Sequence, residues 1–238
     1  MSPQDIYEDI RSYCQANADE SRVKKYSRYF TEGYDAYGLS DTALKDKVDD
    51  ILTDEGISVD LLLKTGDLLV QSGKYEETYF AILLMKSLAD DFTPDLFQGI
   101  GRWFEKGIVN WAHCDVLCHE LTSTFLKKRI IGLQAFDTWR DSENTYQRRA
   151  VPVAMLDLLN TMENYNVLFE FIEPLMLDRE KKVQQGLGWF LREAWKQRKE
   201  ETEAFLMKWK NKAPRVIFQY ATEKMSKDER KRFRKEKQ

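Results

Sequence analysis

Histidine and cysteine are scarce in this chain. Its 238 residues hold two histidines, His113 and His119, and three cysteines, Cys14, Cys114 and Cys118. Three cysteines make no disulfide framework and suit a reducing compartment. No apolar run approaches the roughly 18 residues that span a bilayer. The opening Met-Ser-Pro-Gln-Asp lacks the basic and apolar stretches of a signal peptide. The expected location is therefore the cytoplasm, with no membrane partner. Alternating apolar and polar runs are missing, so strands are not expected. Without strands there is no strand–loop–helix phosphate cradle. No serine or cysteine has a histidine at the spacing of a nucleophile–base pair.

The scarce residues do crowd together, in His113-Cys114-Asp115-Val116-Leu117-Cys118-His119. One straight helix cannot wrap four such ligands tetrahedrally around zinc. Buried helix cysteines are the better reading, and no metal site is expected.

What is present reads as helix. Hydrophobic residues are 42% and charged residues 32%, a globular balance. Five prolines and eleven glycines fall mostly at helix starts and stops. Ser2-Pro3, Ser40, Ser58 and Thr93-Pro94 are start signals. Ile6, Ile10 and Tyr13 form one apolar stripe, and Leu44, Val48 and Ile51 another. Single helices are expected over about 110–128, 133–140, 143–162 and 165–177, among a dozen in all. Helix pairs at intervals of roughly 35–45 residues suit HEAT-like repeats. The expected fold is an all-α solenoid of antiparallel helix pairs with a concave groove. It forms a single domain over 1–226, followed by a basic tail, 227–238, expected to be a frayed helix end. An ordinary helical bundle is the alternative.

Net charge is −3, yet it is unevenly spread. Residues 1–97 hold 10 Lys/Arg against 20 Asp/Glu, and residues 98–238 hold 27 against 20. Such asymmetry points to a polyanionic partner.

Trp111 and Asp115 lie four residues apart, on one face of a helix. An indole face and a carboxylate together attract a cation. Trp189 has Arg192 at i+3. Core packing remains the alternative for both tryptophans. Gly186 and Gly188 sit inside a helical pattern at a cost of about 1 kcal/mol each relative to alanine. Close helix packing and close approach of a sugar-phosphate backbone are both open as the reason.

Four segments resemble one known family. They are Arg28-Tyr-Phe-Thr-Glu-Gly-Tyr-Asp-Ala-Tyr-Gly-Leu39, Trp111-Ala-His-Cys-Asp115, the stretch Ser142 to Arg149-Ala150, and Gly188-Trp189-Phe-Leu-Arg192-Glu193. In order and spacing they are similar to the HEAT-like-repeat alkylpurine DNA glycosylases of AlkD type, over about Tyr26 to Lys196. The chain departs from that pattern at Asn110, Ala112 and Tyr146, and it carries two adjacent arginines, Arg148 and Arg149.

The resemblance implies hydrolysis of the N-glycosidic bond of purines alkylated at N3 or N7, in duplex DNA and without flipping the base into a protein pocket. It assigns the catalytic set to Asp115, Trp111, Trp189 and Arg149, gathered around one nucleotide. It makes Arg148, Arg192, Tyr29, Ser40, Lys127, Lys128 and Arg129 candidate DNA contacts. It implies a monomeric, monofunctional enzyme without metal or organic cofactor, in a bacterial cytoplasm and on the nucleoid when bound. Two other readings stand beside it. One is an inactive paralogue that binds unusual DNA structures. The other is a HEAT-type protein-interaction scaffold docking through its acidic N-terminal half.

Overall fold

The computed structural model describes residues 1–236, and every regular element among them is a helix. The expectation of an all-α chain holds. By contacts the chain forms two compact units, Met1–Phe125 and Leu126–Gln238.

Unit 1 contains α1 (Pro3–Ala16), α2 (Glu20–Ser27), α3 (Asp41–Ile51), α4 (Val59–Gln71), α5 (Tyr75–Lys86), α6 (Pro94–Gly101), α7 (Trp103–Lys106) and α8 (Trp111–Leu117). The short α9 (Ser123–Lys127) runs across the boundary. The start signals act as caps. Ser2 and Asp5 form a reciprocal capping box, and the side chains of Ser40, Ser58, Thr93 and Asn110 each accept from a backbone N–H of the first turn. Such caps contribute about 1 kcal/mol each. Only three residues separate α4 from α5, so the pair folds back as an antiparallel hairpin. Helix α1 packs on both, and α5 also contacts α3 and α8. Ile6, Ile10, Leu69, Phe80, Phe97 and Trp103 are fully buried in this unit.

By contrast α2 buries none of its residues. It is held at its N-terminal end. The Asp19 carboxylate accepts from the Ser21 and Arg22 N–H groups, and the Asp19 N–H donates to the Tyr37 carbonyl at 2.8 Å. Gly38 follows with φ +85°, and a Cβ there would lie 2.2 Å from the Asp19 carbonyl oxygen. Only glycine fits that turn.

Unit 2 contains α10 (Asp137–Arg140), α11 (Thr145–Ala154), α12 (Asn166–Ile172), α13 (Lys181–Gln197), α14 (Lys199–Trp209), α15 (Arg215–Ala221) and α16 (Lys227–Lys231). Helix α13 is its axis and packs on α11, α14 and α15. It buries Val183, Leu187, Phe190, Leu191 and Ala194. The larger of these side chains contribute roughly 1.5–3 kcal/mol each.

The long helices expected from periodicity are interrupted, and for three the cause is local. Over 110–128, a π-helical turn, Cys118–Thr122, separates α8 from α9. Three successive hydroxyls begin at its last residue, and Thr122, Ser123 and Thr124 donate to the carbonyls of Cys118, His119 and Glu120. These side chains compete with the backbone for the same acceptors. Pro152 lies inside α11, removes one backbone donor, and the chain tightens into a 3-10 segment, Met155–Asn160. Pro174 does the same after α12, giving a 3-10 segment over Glu173–Leu177. Over 133–140, a 3-10 turn at Leu133–Phe136 leads into α10.

The basic tail is not frayed over its described part; Lys237 and Gln238 lie outside the described residues. A capping box of Ser226 and Glu229 starts α16. Phe233 is fully buried, Arg232 pairs with Glu203 at 2.8 Å, and Lys199 pairs with Glu229 at 2.6 Å. The aromatic anchor, which a charge count overlooks, is what docks it.

Candidate functional site

Trp111 is the first residue of α8, and Asp115 follows one turn later. Both are half-buried, whereas Trp103 and Trp139 fill the core. Core packing is therefore not the role of Trp111. Its indole is held from outside its own helix. Nε1 donates to the Tyr29 carbonyl at 3.3 Å, and Phe30 lies against the ring at 5.6 Å and 16°.

The first turn of α8 is locked by His113. Its backbone N–H donates to Asn110 Oδ1 at 2.9 Å. Its Nδ1 accepts from Asn110 Nδ2, and its Nε2 donates to the Tyr75 carbonyl, each at 2.9 Å. Burial pushes the imidazole down to about 4, so it is neutral and acts as a tether between α8 and α5.

Further rings gather beside Trp111. Phe30 stacks on Tyr34 at 4.5 Å and meets Tyr75 edge-on at 5.6 Å, and Tyr75 stacks on His113 at 4.7 Å. Phe30, Tyr34, Tyr75 and Trp111, with Tyr26 and Tyr79, line a cavity of about 480 Å³ that lies wholly within unit 1. Burial raises the Tyr34 phenol to about 12. Sequence reasoning did not single out Phe30, Tyr34, Tyr75 and Tyr79. The usable signal was Tyr75 and Tyr79 at i, i+4 on α5, opposite a tyrosine-rich segment.

In unit 2, Arg149 is buried on α11, and its Nη1 donates to the Lys182 carbonyl of α13 at 2.8 Å. Gly186 stands one turn further along α13, and a Cβ there would lie 3.1 Å from Arg149 Cγ. Trp189 follows three residues later and is half-buried, so it too is not core. The two glycines thus separate. Gly188 serves helix packing, since a Cβ would lie 2.5 Å from Tyr220 Cβ and 2.7 Å from the Ile217 carbonyl oxygen. Gly186 makes room for Arg149.

The remaining candidates are placed as follows. Arg148 is engaged by Asp178 at 2.7 Å and by the Ser142 carbonyl at 2.7 Å. Arg192 is engaged by Glu193 at 2.9 Å and by Glu223. Lys127 pairs with Asp157 at 2.9 Å. Lys128 and Arg129 are exposed, and Arg129 has φ 56°. Ser40 Oγ caps α3, and Tyr29 is exposed with its hydroxyl accepting from Arg28 at 2.8 Å. Trp111 and Tyr29 are brought into contact, while Arg148 and Arg149 turn to different partners.

Among the described residues no three His, Cys, Asp or Glu side chains are grouped to hold a metal ion. Cys14, Cys114 and Cys118 are buried thiols. Among the same residues no helix is long and apolar enough to cross a membrane.

The family model described as DNA alkylation repair enzyme matches residues 10–225. The chain belongs to this family. Its fold is shared with solved relatives. A predicted DNA alkylation repair enzyme from Enterococcus faecalis superposes with a TM-score of 0.76 at 17% identity, over 89% of this chain and 98% of that one. AlkD2 from Streptococcus mutans superposes with a TM-score of 0.58 at 22% identity, over 85% of this chain and 95% of that one. These are helical-repeat proteins, and at such identities the likeness carries the fold alone. No protein of curated function matches the chain.

Proposed function

We propose that this member of the DNA alkylation repair family is a monofunctional DNA glycosylase that removes cationic N3- and N7-alkylated purines from duplex DNA. The observation that supports this best is the Trp111–Asp115 pair. One turn of α8 presents an indole and a carboxylate, both half-buried, and the indole is held by Tyr29 and Phe30.

Alkylation at N3 or N7 leaves the base positively charged and ready to depart. The C1′–N bond breaks with its electron pair going to the ring nitrogen, which neutralises the base. Positive charge then develops on the sugar. Water adds to C1′ and gives up a proton. Asp115 stabilises the sugar cation and orients the water, and Trp111 supplies a π-face worth ~1–2 kcal/mol in a desolvated setting. Trp189 adds a second aromatic face, and Arg149 holds a backbone phosphate. No strong acid is required, because the leaving group carries its charge beforehand.

Lys128 and Arg129 are proposed as phosphate contacts, which give affinity and salt dependence without sequence readout. Arg148, Arg192, Lys127, Tyr29 and Ser40 remain in the proposed DNA-contacting set; each would act from its present partner. The setting proposed is a bacterial cytoplasm.

The test is release of free base from duplex DNA carrying N7-methylguanine or N3-methyladenine. Release of either supports the proposal. DNA binding without release of either base assigns the chain to the non-catalytic, structure-binding reading.

A further inference from the structure

Trp111 is placed from two directions, and both lead to the first turn of α5. Its own helix is tied there by His113, whose Nε2 donates to the Tyr75 carbonyl at 2.9 Å. The groups that meet its indole come from the segment after α2. The Tyr29 carbonyl accepts the indole N–H, and Phe30 lies against the ring. Residues 33–40 of that segment form no regular element. Their backbone groups need partners from elsewhere.

Helix α5 supplies those partners. Lys74 gives it no side-chain cap, and the Tyr75 N–H donates instead to the Asp35 carbonyl at 2.8 Å. Glu76 is 2% exposed, and its two oxygens accept from three successive backbone N–H groups. Oε2 takes Tyr37 at 2.8 Å, and Oε1 takes Gly38 at 2.7 Å and Leu39 at 3.2 Å. A carboxylate can gather three donors in this way because it only accepts. On the outer side Lys74 pairs with Asp35 at 2.5 Å and lies over the Tyr37 ring at 4.9 Å. Tyr34 links this anchorage to the indole, stacking on Phe30 at 4.5 Å and lying 4.9 Å from the Tyr75 ring.

All three Glu76 partners lie in one irregular segment and none in a helix. The carboxylate therefore does not join helices to each other. It holds that segment, and with it Phe30, to the turn on which α8 is also tied.

We infer that Glu76 is a positioning residue for the Trp111 indole: it fixes the 37–39 backbone on α5 and so sets where Tyr29 and Phe30 meet the ring. The consequence for base release rests on the proposed function; the placement of the ring does not.

The experiment labels the full chain with 5-fluorotryptophan and reads it by fluorine NMR. The chain has six tryptophans, and Trp111→Phe assigns the Trp111 resonance. Glu76→Gln keeps the shape of the side chain but turns one acceptor into a donor, so at least one of the three N–H groups loses its partner. The Trp111 resonance is expected to move while the other five stay. Base release from alkylated duplex falls about tenfold or more, with affinity for undamaged duplex unchanged. In a Trp111→Ala background Glu76→Gln adds no further loss. Lys74→Ala frees Asp35 and Tyr37 from the outer side of the same turn and moves the same resonance by less; it decides the outcome if Glu76→Gln does not fold. An unmoved Trp111 resonance overturns the inference. So does a shift shared by all six tryptophans, which would assign Glu76 to general stability. A moved ring with base release unchanged in an active parent overturns it as well, as do equal losses with and without Trp111. A parent that releases no base rejects the glycosylase reading alone, and the fluorine result still tests Glu76.

Discussion

Gly186 is the neighbour that gives Arg149 its place. A Cβ on Gly186 would stand 3.1 Å from Arg149 Cγ and 3.5 Å from its Nη1. Arg149 is 6% exposed and anchored to the Lys182 carbonyl, so it has little room to yield. Gly186→Ala is expected to displace the guanidinium while improving helix propensity by about 1 kcal/mol. The predicted signature is a split. Base release falls about tenfold or more, and the urea midpoint stays within the change that ~1 kcal/mol produces. Activity and stability falling together would remove the link between this glycine and Arg149.

Gly188 lies two residues on and behaves differently. There the added carbon meets Tyr220 Cβ and the Ile217 carbonyl oxygen, one of them backbone. Helices α13 and α15 would have to separate. Gly188→Ala is expected to cost ~1–3 kcal/mol or more by overpacking, read as a lower thermal midpoint. A variant as stable as the parent would show that the α13–α15 contact is looser than described.

The glycine pair illustrates how far the sequence could be read. Caps and breakers are local, so Ser2-Pro3, Ser40, Ser58 and Thr93-Pro94 marked their helices correctly. The spacing of Trp111 and Asp115 is local too, and it put both on one turn. What spacing could not supply was partnership across the chain. Phe30 against Trp111, and Gly186 against Arg149, join segments more than thirty residues apart. The 3-10 segments after α11 and α12 were missed for another reason. Apolar periodicity runs on through them, and Pro152 and Pro174 act on the backbone instead.

Arg148 and Arg129 offer a contrast between a structural cation and an exposed one. Arg148 is bound to Asp178, whose side chain is 7% exposed. Arg148→Ala leaves that carboxylate buried without its guanidinium, which costs ~3 kcal/mol as breaking a buried pair does. Arg129→Ala removes an exposed side chain and a positive-φ arginine, with little cost in stability. If Arg129 meets a phosphate, its loss lowers the slope of log affinity against log salt by about 1. An unchanged salt slope would remove Arg129 from the DNA contacts. An unchanged denaturation midpoint in Arg148→Ala would remove Arg148 from its structural role.

Asp115→Asn separates chemistry from binding. The amide keeps the shape of the side chain and discards its charge. A carboxylate that stabilises the sugar cation acts in the transition state, so its loss lowers kcat and kcat/KM together. A drop of about 100-fold or more is expected, with affinity for undamaged duplex unchanged. Full turnover in the variant would exclude Asp115 from the reaction.

His113 gives the fold a pH dependence of its own. Its imidazole is buried between Asn110 and the Tyr75 carbonyl, and burial holds it down to about 4, against about 6.5 in an unfolded chain. Between those values the unfolded chain takes up a proton that the folded ring refuses, so stability rises with pH. The contribution is flat above about pH 6.5 and is lost progressively as the pH falls toward about 4, by an amount on the order of 3 kcal/mol. Urea unfolding at neutral pH and near pH 4.5 measures it. In His113→Gln the glutamine can keep a bond to Asn110 or Tyr75 but has no proton to refuse. That variant should be weaker at neutral pH and lose less on acidification than the parent. An equal loss in both proteins would assign the acid sensitivity to other groups.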